Sequence, residues 1–194
     1  MIGIGFLFQF FFNMGLSLYF WTDKYEDLQE TEEQYTSHRL SRTFANFMFR
    51  ENVIMNEEEA ELNQIGKITE VDISIIYQML EYPQEEQIEF ELRLAQDEEA
   101  EQKILDDAEK SKAEIENNLD EVLSTIASLI EKLSKIEDLN KLLLPTDYDT
   151  LNSEYYFSDF NIDKKNFGQD LRNFKRFLEF AKENGAKTVW FMFC

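Results

Sequence analysis

Residues 84–144 read QEEQIEFELRLAQDEEAEQKILDDAEKSKAEIENNLDEVLSTIASLIEKLSKIEDLNKLLL, a run without a single Gly or Pro. Pro83 and Pro145 bracket it. Proline suits the first helical turn, where its missing N–H is not needed, and it ends a helix that reaches it from upstream. In the second half, Leu105, Ala108, Lys112, Ile115, Leu119, Val122, Ile126, Leu129, Leu133 and Ile136 alternate steps of three and four. That is a heptad seam interrupted at Lys112. The spacing predicts a long helix, with residues 97–101 or Asn117 and Asn118 as the places where it bends or folds into a hairpin. The seam is expected to bury against the rest of the same chain, the alternative being an intermolecular coiled coil. Upstream, Ile88, Leu92 and Ala95 make only a thin apolar stripe, so the first part is expected to be washed by solvent on several sides.

The charge of the first part of this run and of the residues before it sets the function classes. The chain of 194 residues carries a net −21, and residues 51–110 alone hold 19 acidic against 4 basic groups. A field of that sign repels nucleic acid and anionic membrane and attracts basic proteins. With 18 Phe, 8 Tyr and 2 Trp the chain still has ample core material, which argues for one folded domain rather than disorder.

Outside the long run the elements are shorter. Residues 1–21 contain no charged side chain, long enough to cross a bilayer in principle. Gln9, Asn13, Ser17 and three glycines interrupt them, and no basic n-region or small-residue cleavage site is present. Residues 16–21 are therefore read as a buried strand. Met14 with Gly15 would also serve as a start, making residues 1–13 an upstream extension. Residues 22–35 form a polar connector or lid. Short helices are expected over 36–82. One is capped by Ser37 and carries Leu40, Phe44, Phe47 and Met48. A second is opened by Asn56 with Glu59 and ended by Gly66, and a third is opened by Thr69 with Asp72. Residues 146–166 are read as loop with one short strand around 155–160. Phe167, Leu171, Phe174, Leu178 and Ala181 mark a helix ending at a left-handed Asn184–Gly185 cap. TVWFMF, residues 188–193, reads as a terminal strand that pairs with residues 16–21. The fold expected is α+β and predominantly helical, with a long acidic helix or helical hairpin packed on a small sheet formed by the N- and C-terminal strands.

Chemistry is mostly excluded. One His and a final Cys cannot build a His/Cys zinc site, and no phosphate-cradling glycine motif is present. Cys194 has no partner for a disulfide within the chain, which fits a reducing, cytoplasmic setting. His38 lies between Ser37 and Ser41 in sequence, but adjacent helical residues point apart, so it is read as a surface histidine. Asp159, Asn161, Asp163 and Asp170 fall at positions one, three, five and twelve of an EF-hand-like loop, with Ca2+ as the ion it would take. Lys164 stands where that loop needs Gly, and Asp170 is shorter than the usual bidentate Glu. The bland reading is a loop in which Asp and Asn side chains bond local backbone. Asp147 and Asp149 offer further oxygens, and a metal protein or enzyme built on residues 147–170 ranks last.

The carboxylates of the long run sit on exposed helix faces, whereas general acid–base work needs a desolvated cleft. Their density exceeds what solubility requires. Glu81, Glu85, Glu86, Glu89, Glu91, Asp97, Glu98, Glu99, Glu101, Asp106 and Asp107 are the candidate partner-binding residues, a row able to imitate phosphate spacing in a basic groove. The reading is a non-enzymatic binding module without a cofactor, in the class of inhibitors and immunity or anti-defence (anti-CRISPR-like) proteins. Its partner would be a basic, nucleic-acid-handling protein such as a nuclease or CRISPR effector. The alternative is an assembly protein forming homo-oligomers through the seam of residues 105–136. The locally basic stretch of Lys164, Lys165, Arg172, Lys175, Arg176 and Lys182 is expected to bridge to the acidic helices of the same molecule.

Overall fold

The computed structural model of the chain describes residues 17–29, 38–48, 60–144 and 153–193. The readings of residues 1–16, the pairing of Asn56 with Glu59, Asp147, Asp149 and Cys194 lie outside them. Strand β1 (Leu18–Thr22) is followed by a short helix α1 (Tyr25–Gln29), inside the stretch read as connector, and by α2 (Arg42–Met48). Next come α3 (Glu61–Thr69), α4 (Ser74–Gln78), α5 (Glu85–Leu94), α6 (Glu98–Glu114), α7 (Leu119–Leu133) and α8 (Leu139–Leu142). Helix α9 (Ser153–Tyr156), helix α10 (Phe167–Glu183) and strand β2 (Val189–Phe193) complete it.

The two expected strands pair. β1 and β2 pair antiparallel, with Phe20 opposite Phe191 and Trp21 opposite Trp190. Alternation along β1 sends Leu18, Phe20 and Thr22 into the core. There the Phe20 ring stacks on Phe177 at 4.3 Å and leans on Phe174 at 4.7 Å, both from α10. Trp21 stacks on Tyr25 at 3.6 Å, and Trp190 on Tyr82 at 3.9 Å. Helix α10 packs in turn on α7, which also touches α3 and α4.

The far edge of β2 is covered rather than left open. Asn118 Nδ2 donates to Val189 O while Val189 N donates to Asn118 Oδ1, both at 2.9 Å, so one side-chain amide pairs like a strand residue. Leu119 N donates to Lys187 O, and Phe191 N to Met79 O. An exposed strand edge invites pairing with other chains, and these bonds occupy it from Lys187 to the Phe191 N–H.

Several expectations are corrected. The helix expected from Ser37 begins at Arg42 instead, residues 38–41 being non-helical, and Ser41 Oγ accepts from Phe44 N in its first turn. Thr69 does not open the third helix but ends α3, its hydroxyl donating to Ile65 O at 2.7 Å, and the next helix starts at Ser74. Gly66 lies inside α3 and does not end it; the helix closes at Glu70, which adopts a left-handed φ of 52°. The glycine serves a close approach, since a Cβ there would lie 3.2 Å from both Ile73 Cγ1 and Val71 O as the chain turns back. Residues 155–160 form the end of α9 and a loop, not a strand. Tyr156, Phe157 and Phe160 all turn inward to one ring, Phe167, which an alternating strand cannot do. The run 84–144 is not continuous helix but α5, α6, α7 and α8, with breaks at residues 95–97 and 115–118 near the places anticipated and a third, unanticipated, at residues 134–138. The Asn184–Gly185 cap is present, Gly185 having φ 84°.

Candidate functional site

The acidic residues are presented by α5 and α6. Gln84 enters α5 in extended conformation, and Ala95 leaves it at ψ 139°. Asp97 then caps α6, its carboxylate accepting from Ala100 N at 2.9 Å. Each helix begins with carboxylates, Glu85 and Glu86 in one and Glu98, Glu99 and Glu101 in the other, where the helix dipole favours them.

The chain leaves β2 at Tyr82 and returns to it at Asn118, so α5 and α6 form a hairpin whose tip is residues 95–97. Tyr82 rests on Trp190, Lys112 Nζ lies 5.9 Å over the Tyr82 ring, and Asn118 binds Val189. Burial, reinforced by Glu85 and Asp23, pushes the Tyr82 hydroxyl above its ordinary pKa, so at the hairpin base it stays a neutral phenol. The two helices contact each other, and Ile88 and Leu92 on α5 and Ile104 and Ala108 on α6 are half-buried. Neither helix contains a buried residue.

Of the eleven candidate partner-binding residues, Glu81 stands just before the hairpin and Glu91 is half-exposed; the others are exposed. They occupy two helices and a tip rather than one straight row, because of the break at residues 95–97. Few are neutralised. Among the described residues the hairpin's ion pairs are Arg93–Glu89 at 3.2 Å and Lys110–Glu114 at 3.7 Å. Gln87 donates to Glu91, and Gln102 to Asp106.

The basic stretch does not reach these carboxylates. Lys164 pairs with Asp159, Arg172 lies 3.8 Å from Asp163, and Lys175 pairs with Glu179. Of the ion pairs these side chains form among the described residues, only Lys182–Asp120 crosses to another acidic helix, and that helix is α7. The expectation of general bridging fails because α10 is packed against α7 and the sheet, away from the hairpin.

The loop before α10 is organised around protein donors. Asn166 Oδ1 caps α10 by accepting from Gln169 N, while its Nδ2 donates to Asp159 O at 2.7 Å. Arg172 donates to Phe160 O and Ile162 O. Asp159 holds Lys164, Asn161 donates to Ser134 O, and Asp170 turns inward to accept from Ser41 N, Ser41 Oγ and Tyr156 OH. The four residues of the EF-hand-like spacing thus face different partners. Among the described residues no three His, Cys, Asp or Glu side chains are grouped to hold a metal ion. Burial raises the Asp170 pKa against the lowering effect of its hydrogen bonds. His38 is half-buried 6.2 Å from the Phe180 ring, and burial together with Arg176 lowers its pKa.

One part of the surface escaped the sequence reading. Phe90 and Leu94 are 41% and 65% exposed. At 100° per residue they point about 200° away from Ile88 and Leu92, forming a second apolar strip on the outside of α5. The signal was the four-residue spacing of Phe90 and Leu94 off the main stripe. Comparison of the chain with known family profiles, characterised proteins and solved structures found no match. No helix among the described residues is long and apolar enough to cross a membrane.

Proposed function

We propose that this protein is a non-enzymatic binding module that docks its acidic helical hairpin on a basic, nucleic-acid-handling protein. It would act as an inhibitor or immunity or anti-defence protein acts on a nuclease or CRISPR effector. The observation that carries the reading is the hairpin itself, two helices that bury nothing in the core and, among the described residues, pair few of their carboxylates with a cation. A hairpin kept only for solubility would not need anchoring at its base by a stacked aromatic pair and a bidentate amide. The oligomerisation alternative is weakened because the α7 half of the heptad seam is spent in the core of the same chain.

The test is recovery of the partner from the source cell at low and moderate salt, followed by charge reversal of Glu85, Glu86, Glu89 and Glu91 to Lys. A basic protein released by salt, and lost from the reversed variant, is the expected result. Unchanged binding with unchanged salt dependence would refute the reading.

A further inference from the structure

The exposed strip on α5 specifies the partner more closely than charge does. Phe90 and Leu94 lie one turn apart on the exposed side of α5, opposite the half-buried Ile88 and Leu92, with Glu86 a turn before them and Glu91 between them in sequence. Large apolar side chains on a helix so acidic cost solubility without serving the core. A purely electrostatic surface has no use for them. We infer that Phe90 and Leu94 are the apolar centre of the docking surface, and that they seat an amphipathic, basic α-helical segment of the partner. The proposal rests on the binding reading above.

The charge decides between occupants. Residues 85–114 carry 12 acidic and 4 basic side chains, so a second copy of the chain would bring like charge against like. Nucleic acid and anionic lipid are repelled for the same reason. A helix with leucine-like residues at three- and four-residue spacing covers Phe90 and Leu94, while Lys or Arg on its flanks meets Glu86 and Glu91. The apolar contact then governs how long the complex lasts, and the carboxylate rim governs how fast it forms.

The probe is a synthetic Leu/Lys amphipathic helical peptide, set against a peptide of equal length and charge whose leucines are replaced by serine. Binding of both to the full chain is measured by calorimetry at about 150 mM salt, where long-range attraction is screened. The Leu/Lys peptide should bind at least about tenfold more tightly than its control. F90S/L94S should abolish that preference, while L142S, which removes an exposed leucine outside the hairpin, should keep it. Amide shifts in the wild-type chain should move first at residues 86–94, a readout that needs no variant. Equal binding of the two peptides, or a preference that survives F90S/L94S, overturns the proposal. In that event the charge-reversal result for the proposed function still stands or falls independently. Absence of any binding by either peptide likewise overturns the proposal and leaves the proposed function to the partner-recovery and charge-reversal test.

Discussion

Asp170 is 3% exposed, yet its carboxylate accepts from Ser41 N at 2.8 Å, Ser41 Oγ at 2.6 Å and Tyr156 OH at 2.7 Å. Ser41 Oγ also accepts from Phe44 N, so a single carboxyl ties α10 to α9 and to the start of α2. Burial raises its pKa, the hydrogen bonds offsetting only part of that cost. The folded state therefore holds the proton more tightly than the unfolded chain, and stability falls as pH rises from the ordinary Asp range through the raised value. Each unit of upward shift corresponds to about 1.4 kcal/mol. In D170N this dependence disappears. Urea unfolding of both proteins across that window should show the wild-type advantage shrinking as pH rises, other titrations cancelling in the difference. A constant difference would mean Asp170 does not titrate differently on folding. Gly168, beside it, admits no side chain, because a Cβ there would stand 2.1 Å from Phe160 O.

At the scale of elements, one heptad seam has two fates. Leu119, Val122, Ile126, Leu129 and Leu133 of α7 are buried against the α10 and sheet core, whereas Leu105 of α6, in the same periodic series, is 42% exposed. Replacing Ile126 with Ala removes methylenes from a closed core and should cost about 3 kcal/mol. Replacing Leu105 with Ala should stay within about 0.5 kcal/mol. Chemical denaturation of the two variants checks this, and equal losses would mean that α6 packs as deeply as α7. The seam's spacing is identical in both helices; what differs is that the chain turns at Asn118, whose amide locks it to Val189.

Across the whole molecule most of the net −21 lies in residues 51–110, which hold 19 acidic against 4 basic groups and include α5 and most of α6. Exposed like charges repel one another, a cost that salt screens as the Debye length shrinks from about 30 Å at 0.01 M to about 8 Å at 0.15 M. Sodium chloride over that range should raise the melting temperature by a few degrees. The variant with Glu85, Glu86, Glu89 and Glu91 reversed to Lys should gain less. A melting temperature that falls with salt would show that attractive ion pairs dominate instead.

Read by itself, the sequence determined the helical punctuation at Pro83, Asp97, Asn118 and Gly185, the pairing of the terminal strands, and where the negative charge lies. The punctuation and the charge are local properties, written in turn residues, in three- and four-residue spacings and in composition; the strand pairing was legible because the two terminal segments are the chain's matching apolar runs. The tertiary structure alone decided which half of the seam is core, that Asp170 faces Ser41 rather than a loop, that Gly66 sits within a helix, and that Phe90 and Leu94 are left outside. Those outcomes depend on contacts between residues as far apart as Ser41 and Asp170, or Asn118 and Val189. Spacing shows that a helix has an apolar face. It does not show what the returning chain will lay against it.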